Sequence, residues 1–274
     1  MEPQVAVVIG VGGMGQAIAR RIGPGSHLLI ADVNETNVRA FATQLTDEGY
    51  TVTSAVVDVS APDSVAALAK QAASLGPVRD VVHTAGLSPA QAPVRAVLAV
   101  DLLGVALVLD EFGGVVAPGG AGVVIASMAG AFHPPLEQDV ARQLASTPAA
   151  ELLALPINDP DRFANAGAAY GFAKRANQIR VQAASTTWGA RGARINAISP
   201  GIIATPMGTQ ELASENGAFM RMMIDASNAK RLGTPADIAA ATEFLLSPAA
   251  SFISGADLLV DGGTVAALQT GALG

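Results

Sequence analysis

No cysteine occurs in the 274 residues of this chain. That excludes disulfides and thiolate-held metals and agrees with a cytoplasmic protein; no motif gives a metal to expect. Aromatic residues make up only 4%, so Ala, Val, Leu and Ile must fill any core. Positive charge is scarce: 16 Lys and Arg stand against 23 Asp and Glu, for a net charge of −7. Nucleic-acid binding needs a basic patch. Arg20 with Arg21, Lys174 with Arg175 and Lys230 with Arg231 are the only adjacent basic pairs, too few for such a patch, so no nucleic-acid partner is expected. Long hydrophobic runs are missing too. Residues 5–9, 78–82 and 123–125 are apolar but of strand length, far below the ~20 residues of a membrane span. The N-terminus enters the first run almost at once, so no signal peptide is expected. No internal repeat or low-complexity linker interrupts the chain.

What is present is an alternation. Half the residues are hydrophobic and the mean hydropathy is +0.41. Short apolar runs predict strands at 4–10, 26–31, 51–57, 78–83, 120–126, 193–198 and 257–260. Helical patterns lie between them, at 14–22, 34–48, 62–75, 91–116, 168–188, 208–225 and 235–246. Strand–helix alternation of this kind implies an α/β fold, a doubly wound parallel sheet of about seven strands with helices on both faces. Continuous Val/Ile runs suit strands buried on both sides. We expect residues 1–274 to form one dinucleotide-binding domain. One segment breaks the rhythm, about 131–166, with five prolines. It reads as an insertion with short helices near 136–145 and 149–154, serving as a lid or an interface element.

The first strand runs into Gly10-Val-Gly12-Gly13-Met14-Gly15 and a helix. Between a strand and a helix, G-x-G-x-x-G is a dinucleotide fingerprint. Glycine lets the backbone approach a pyrophosphate, and the helix N-terminus offers free N–H groups. Asp32 lies 17 residues after Gly15, at the end of the second strand. An acid there accepts hydrogen bonds from ribose hydroxyls and repels a 2′-phosphate, and no basic residue interrupts the loop; NAD is favoured over NADP. The competing reading of Asp32 is a cap on the next helix, a task open also to Asn34. Asp58, followed by Val59, ends the third strand; it could meet an adenine amino group or simply close a turn. Thr84-Ala85-Gly86 ends the fourth strand, where small residues let the chain pass close to a cofactor. His83 beside them reads as a packed structural histidine.

Tyr170 and Lys174 stand four apart in a helix-forming stretch, so they share one helix face. A nearby ammonium favours the phenolate and lowers a tyrosine pKa from ~10 toward a range useful for proton transfer.

Together these motifs resemble the short-chain dehydrogenase/reductase family in its one-domain, Rossmann-like form. The resemblance runs from Val5 to Gly263. It makes Ser127, in Ala126-Ser127-Met128-Ala129-Gly130, the active-site serine, and Tyr170 with Lys174 the catalytic pair. It places Pro200, Gly201, Ile203 and Thr205 against the nicotinamide, and Met14 with the glycine loop. The implied reaction is hydride transfer between NAD and a secondary alcohol or carbonyl compound, in a homodimer or homotetramer. The chain departs from the family pattern in four ways. The glycine loop is one residue shorter. Thr84 replaces an asparagine. Ser127 and Tyr170 are 43 apart, much more than usual, because of the 131–166 segment. Asp101 stands where a fourth catalytic asparagine is expected; it either joins a proton relay through Lys174 or serves only the structure. The insertion and the Leu-Ser-Pro-Ala-Ala-Ser run ending at Ser251 resemble the branch of bacterial 3α-hydroxysteroid dehydrogenase/carbonyl reductase. That branch suggests steroids or other bulky hydrophobic substrates. Met207, Phe219, Met220, Met222 and Met223 suggest an apolar pocket wall. Two other readings are a weakly catalytic dinucleotide-binding scaffold or sensor, and a sugar-nucleotide epimerase or dehydratase. The few tens of residues after Asn196 speak against the latter.

Overall fold

The computed structural model describes residues 4–90 and 92–271. The strands are β1 (Val5–Ile9), β2 (His27–Asp32), β3 (Thr51–Val56), β4 (Val78–His83), β5 (Val116–Ile125), β6 (Arg194–Pro200) and β7 (Asp257–Val260). All pairings are parallel, and the order is β3-β2-β1-β4-β5-β6-β7. The order reverses between β1 and β4, and at such a switch point a crevice opens beyond the strand ends. This is a Rossmann-like doubly wound sheet, and each of the seven expected strands is present.

The connecting helices are α1 (Gly13–Ile22), α2 (Glu35–Asp47), α3 (Pro62–Leu75), α4 (Val94–Val97), α5 (Gly104–Val115), α6 (Ala129–Phe132), α7 (Gln138–Ser146), α8 (Ala149–Leu152), α9 (Ala166–Ala190), α10 (Pro206–Leu212), α11 (Gly217–Ala226), α12 (Pro235–Leu246) and α13 (Thr264–Gln269). The sheet separates two apolar layers by the strand period of two. In β1, Val5, Val7 and Ile9 join one layer, and Ala6 and Val8 the other. Few aromatics serve this core, and small residues make room for them. The buried Trp188 indole donates to the Leu109 carbonyl at 3.1 Å. It lies against Gly122, where a Cβ would come within 2.7 Å of the ring.

Three expectations change. The helix expected at 91–116 starts at Val94 among the described residues and carries a π-helical turn, Leu98–Leu103, between α4 and α5; residue 91 lies outside them. The helix expected at 208–225 is two, α10 and α11, parted by the Ser214–Gly217 turn. A short helix, α13, follows the Gly262-Gly263 turn, with Val265 N donating to Asp261 Oδ2 at 2.7 Å.

The 131–166 segment packs outward on α9 and α5. Leu144 and Leu152 are fully buried, and Arg180 of α9 donates to the carbonyls of Leu144 and Thr147 at 2.8 and 3.0 Å. Phe163 lies against Phe172 with ring centroids 5.2 Å apart. The segment is therefore a fixed cover on α9, and only its two ends reach the cavity described below.

Asp80 on β4 is a weak point of this core. Burial pushes its carboxyl up to about 6, against the opposing charges of Arg79 and Arg194. The folded state then holds a proton that the unfolded chain has released, so stability falls as pH rises from about 4 to about 6. Asp80→Asn is expected to stabilise the fold by about 1–3 kcal/mol above that window and to be neutral below it. Urea unfolding on both sides of the window checks this; equal effects at both pH values would contradict it.

Candidate active site

The C-terminal ends of β1, β4, β5 and β6 carry the groups singled out in the sequence. Gly10 follows β1 with φ +93°, a conformation that favours glycine. A Cβ there would fall 2.6 Å from Ala85 N. Thr84 donates through Oγ1 to the Gly10 carbonyl at 2.8 Å, clamping the β4 end to the loop. α1 starts at Gly13, with no side-chain cap and no acid in its first turn, so its N–H groups point at open space. Asp32 Oδ2 accepts from Val11 N at 2.8 Å and Oδ1 from Asn34 N at 2.9 Å. Asn34 caps α2 through Asn37 N, so Asp32 is not that cap. Asp58 accepts from the Ser60 amide and hydroxyl at 2.9 and 2.6 Å, the turn role foreseen for it, while facing the same space.

Two cavities result. One, of about 370 Å³, is lined by Gly10, Gly12, Gly13, Met14, Gly15, Asp32, Asp58, Val59, Thr84, Ala85, Gly86 and Thr205, with no Lys or Arg in its wall. The other, of about 620 Å³, is lined by Ser127, Tyr170, Pro200, Gly201, Ile203 and Thr205, and by Met207, Phe219, Met220 and Met223. Met222 is absent from this wall and exposed. Met14, Thr205 and Met207 belong to both cavities, which therefore meet beneath α10. A Cβ on Gly13 would touch Thr205 Cγ2 at 3.0 Å, so the glycine loop and α10 are in close contact. The first cavity fits a dinucleotide: close-approach glycines, a free helix N-terminus and an acid beyond β2 are all in place.

Lys174 and Asp101 lie behind the cavity wall. Lys174 Nζ is 3.0 Å from Asp101 Oδ1, with side chains 5% and 0% exposed. The same ammonium is 3.4 Å from the Ile125 carbonyl and 5.2 Å from the centre of the Tyr170 ring. Asp101 sits in the π-helical turn, its Oδ2 accepting from Leu87 N at 3.0 Å and its carbonyl from Asn177 Nδ2 at 2.8 Å. Gly86 leaves the room: a Cβ there would meet Asp101 Oδ1 at 2.7 Å. The carboxylate thus touches the lysine directly and reaches neither cavity.

Electrostatics at the phenol are opposed. Burial raises the Tyr170 pKa, Lys174 pulls it down, Asp101 pushes it back up, and the Ser127 hydroxyl favours the phenolate. The outcome is a phenol above its ordinary value, where Lys174 alone predicts one below. Burial raises the Asp101 carboxyl against the pull of Lys174. Burial also disfavours the Lys174 ammonium, but Asp101 and Tyr170 outweigh it and raise its pKa. Burial pushes the His83 imidazole down to about 3, helped by Lys174, and neither ring nitrogen has a partner among the described residues. It is a neutral core histidine, as expected.

No motif singles out Glu211 and Ser88, although both fall in stretches, 87–96 and 207–229, expected to lie near the substrate. Glu211 of α10 lines the larger cavity and accepts from Ser88 Oγ at 2.7 Å, across 123 residues of sequence. No local pattern could have joined them.

The family model described as short chain dehydrogenase matches residues 4–138, and one described as Enoyl-(Acyl carrier protein) reductase matches 139–265. The chain is 39% identical over 270 residues to "Short-chain dehydrogenase/reductase bsc3" of Alternaria brassicicola, covering 98% of each. The protein belongs to the short-chain dehydrogenase/reductase family. It is thus an oxidoreductase of a family acting on alcohols and carbonyl compounds. It is also 29% identical over 192 residues to the 3-alpha-hydroxysteroid dehydrogenase/carbonyl reductase of Comamonas testosteroni, covering 69% of this chain and 73% of that one. A solved 7 alpha-hydroxysteroid dehydrogenase complexed with NADH and 7-oxo glycochenodeoxycholic acid superposes with a TM-score of 0.73 at 25% identity, covering 95% and 93%. No helix among the described residues is long and apolar enough to cross a membrane.

Proposed function

We propose that this protein is an NAD-dependent dehydrogenase/reductase of secondary alcohols and ketones, with a bulky hydrophobic compound such as a steroid as substrate. The observation that carries this is that Ser127 and Tyr170 line one largely apolar cavity, which joins a second cavity walled by the glycine loop and Asp32. Its volume, about 620 Å³, is in the range of small-molecule sites.

NAD, when bound, supplies the nicotinamide that accepts or returns the hydride at the carbinol carbon. Gly10, Gly12, Gly13, Met14 and Gly15 would hold its phosphates, and Asp32 its adenosine ribose. Asp58, Val59, Thr84, Ala85 and Gly86 would wall the adenine side, and Pro200, Gly201, Ile203 and Thr205 the nicotinamide side. Ser127 donates a hydrogen bond to the substrate oxygen and fixes it near the phenol. Tyr170 takes the hydroxyl proton during oxidation and returns it during reduction. Lys174 stabilises the phenolate by its charge from behind the cavity wall; a contact with the nicotinamide ribose would need its ammonium to turn away from Asp101. Asp101 acts through Lys174. A cytoplasmic homodimer or homotetramer completes the proposal, on family resemblance.

The test is a steady-state screen of secondary alcohols, hydroxysteroids and hydroxyacyl thioesters with NAD and NADP. NAD-linked turnover of at least one apolar secondary alcohol is expected; cofactor binding without turnover across the panel would favour a sensor. Cofactor choice has its own prediction. Asp32→Asn keeps an acceptor for Val11 N and removes the charge that repels a 2′-phosphate. It should lower the NAD-over-NADP binding preference at least about 10-fold. Fluorescence titration with the reduced cofactors reads this, and an unchanged ratio would remove Asp32 from cofactor selection.

A further inference from the structure

The larger cavity carries a single carboxylate. Among the described residues, Glu211 is the only Asp, Glu, Lys, Arg or His in its wall; the remainder is apolar apart from Ser127, Tyr170, Asn165, Thr205, Ser214 and Asn216. Glu211 is held in place. Its Oε1 accepts from Ser88 Oγ at 2.7 Å, and Ser88, 2% exposed, accepts in turn from Ala90 N at 3.2 Å. Ser88, beyond the end of β4, therefore pins the carboxylate. Among the described residues the other oxygen has no hydrogen-bond partner. The charge is felt at the reaction centre, since Glu211 adds to the proton affinity of Tyr170.

A ligand that fills this space strips water from the carboxylate. The cost is offset only if the ligand donates a hydrogen bond to it. A ligand carboxylate or phosphate in the same place would meet a like charge, with no cation in the wall to offset it. We propose that Glu211 is a specificity-determining residue: it selects neutral secondary alcohols bearing a second hydroxyl away from the reacting carbon, and rejects substrates with an anionic group there. This rests on reading the cavity as the alcohol site.

The probes are hydroxymethyl-cyclohexanol and the hydroxycyclohexanecarboxylate of the same substitution pattern. Binding to the NAD-loaded protein is read by ligand-observed NMR and turnover by reduced-cofactor absorbance. The wild type should prefer the diol at least about 10-fold, and E211Q, which keeps the bond to Ser88, should narrow that ratio at least about 5-fold. E211K should invert the binding preference. A ratio unchanged in E211Q, a wild-type preference for the carboxylate, or no binding of either probe would overturn the proposal. A shifted binding ratio without oxidation of either probe would uphold the selection by Glu211 and sink the dehydrogenase reading. Oxidation of both at an unshifted ratio would do the reverse.

Discussion

Tyr170→Phe is expected to lower kcat by at least about 10²-fold, since a positioned acid–base group contributes roughly 10²–10⁴. The substitution removes one oxygen and leaves the ring, which packs on the core layer beneath it. Folding and cofactor binding should therefore persist, and calorimetry with NAD titration separates lost chemistry from lost structure. Among the described residues, Glu211 is the only other ionisable side chain of the larger cavity, and its Oε1 is engaged with Ser88, so it cannot replace the phenol cleanly. Turnover in Tyr170→Phe within about tenfold of wild type would remove the phenol from the mechanism.

Asp101→Asn should move the pH profile of alcohol oxidation. In the wild type the Asp101 carboxylate raises the Tyr170 pKa and binds Lys174 at 3.0 Å out of contact with solvent. Neutralising it leaves the lysine charge less compensated and favours the phenolate. The rising limb of kcat/KM, which follows deprotonation of the phenol, should then shift to lower pH. The same change leaves a buried ammonium facing an amide. Losing one partner of a buried ion pair costs about 3–5 kcal/mol; the single amide oxygen cannot take over both Oδ1, which faces Lys174, and Oδ2, which accepts from Leu87 N, so a loss within that range is expected, read by urea unfolding. A destabilised variant with an unmoved pH profile would make Asp101 a structural residue only. The family resemblance places an asparagine here, and the fold explains what the exchange does: the π-helical turn points residue 101 at the lysine, so a carboxylate pairs with it directly.

How far the sequence could be read depends on the range of the interactions. All seven strands were legible; those buried on both faces leave continuous apolar runs such as 5–9, while the half-exposed edge strands β3 and β7 were marked by shorter ones. The glycine loop, Asp32, Ser127 and Tyr170 were legible as motifs, and the structure brings them to two adjoining cavities. The 131–166 segment was legible as an interruption. That it forms a fixed cover was not, because Arg180 reaches Leu144 and Thr147 from more than thirty residues away. The break between α10 and α11 was hidden by helix-forming residues on both sides of Ser214–Gly217. The sign of the Tyr170 shift was misjudged from the Tyr170–Lys174 pair alone. Burial and Asp101, which lies 69 positions earlier, outweigh the lysine.

The central claim is direct hydride transfer between a carbinol carbon and the cofactor, in the cavity that Tyr170 and Ser127 share. It is tested by incubating the wild-type protein and NAD with secondary alcohols deuterated at the carbinol carbon, then weighing the reduced cofactor by mass spectrometry. The account predicts one deuterium in every reduced cofactor formed, and almost no product with Tyr170→Phe. Reduced cofactor without deuterium, or none from any alcohol of the panel, would contradict it.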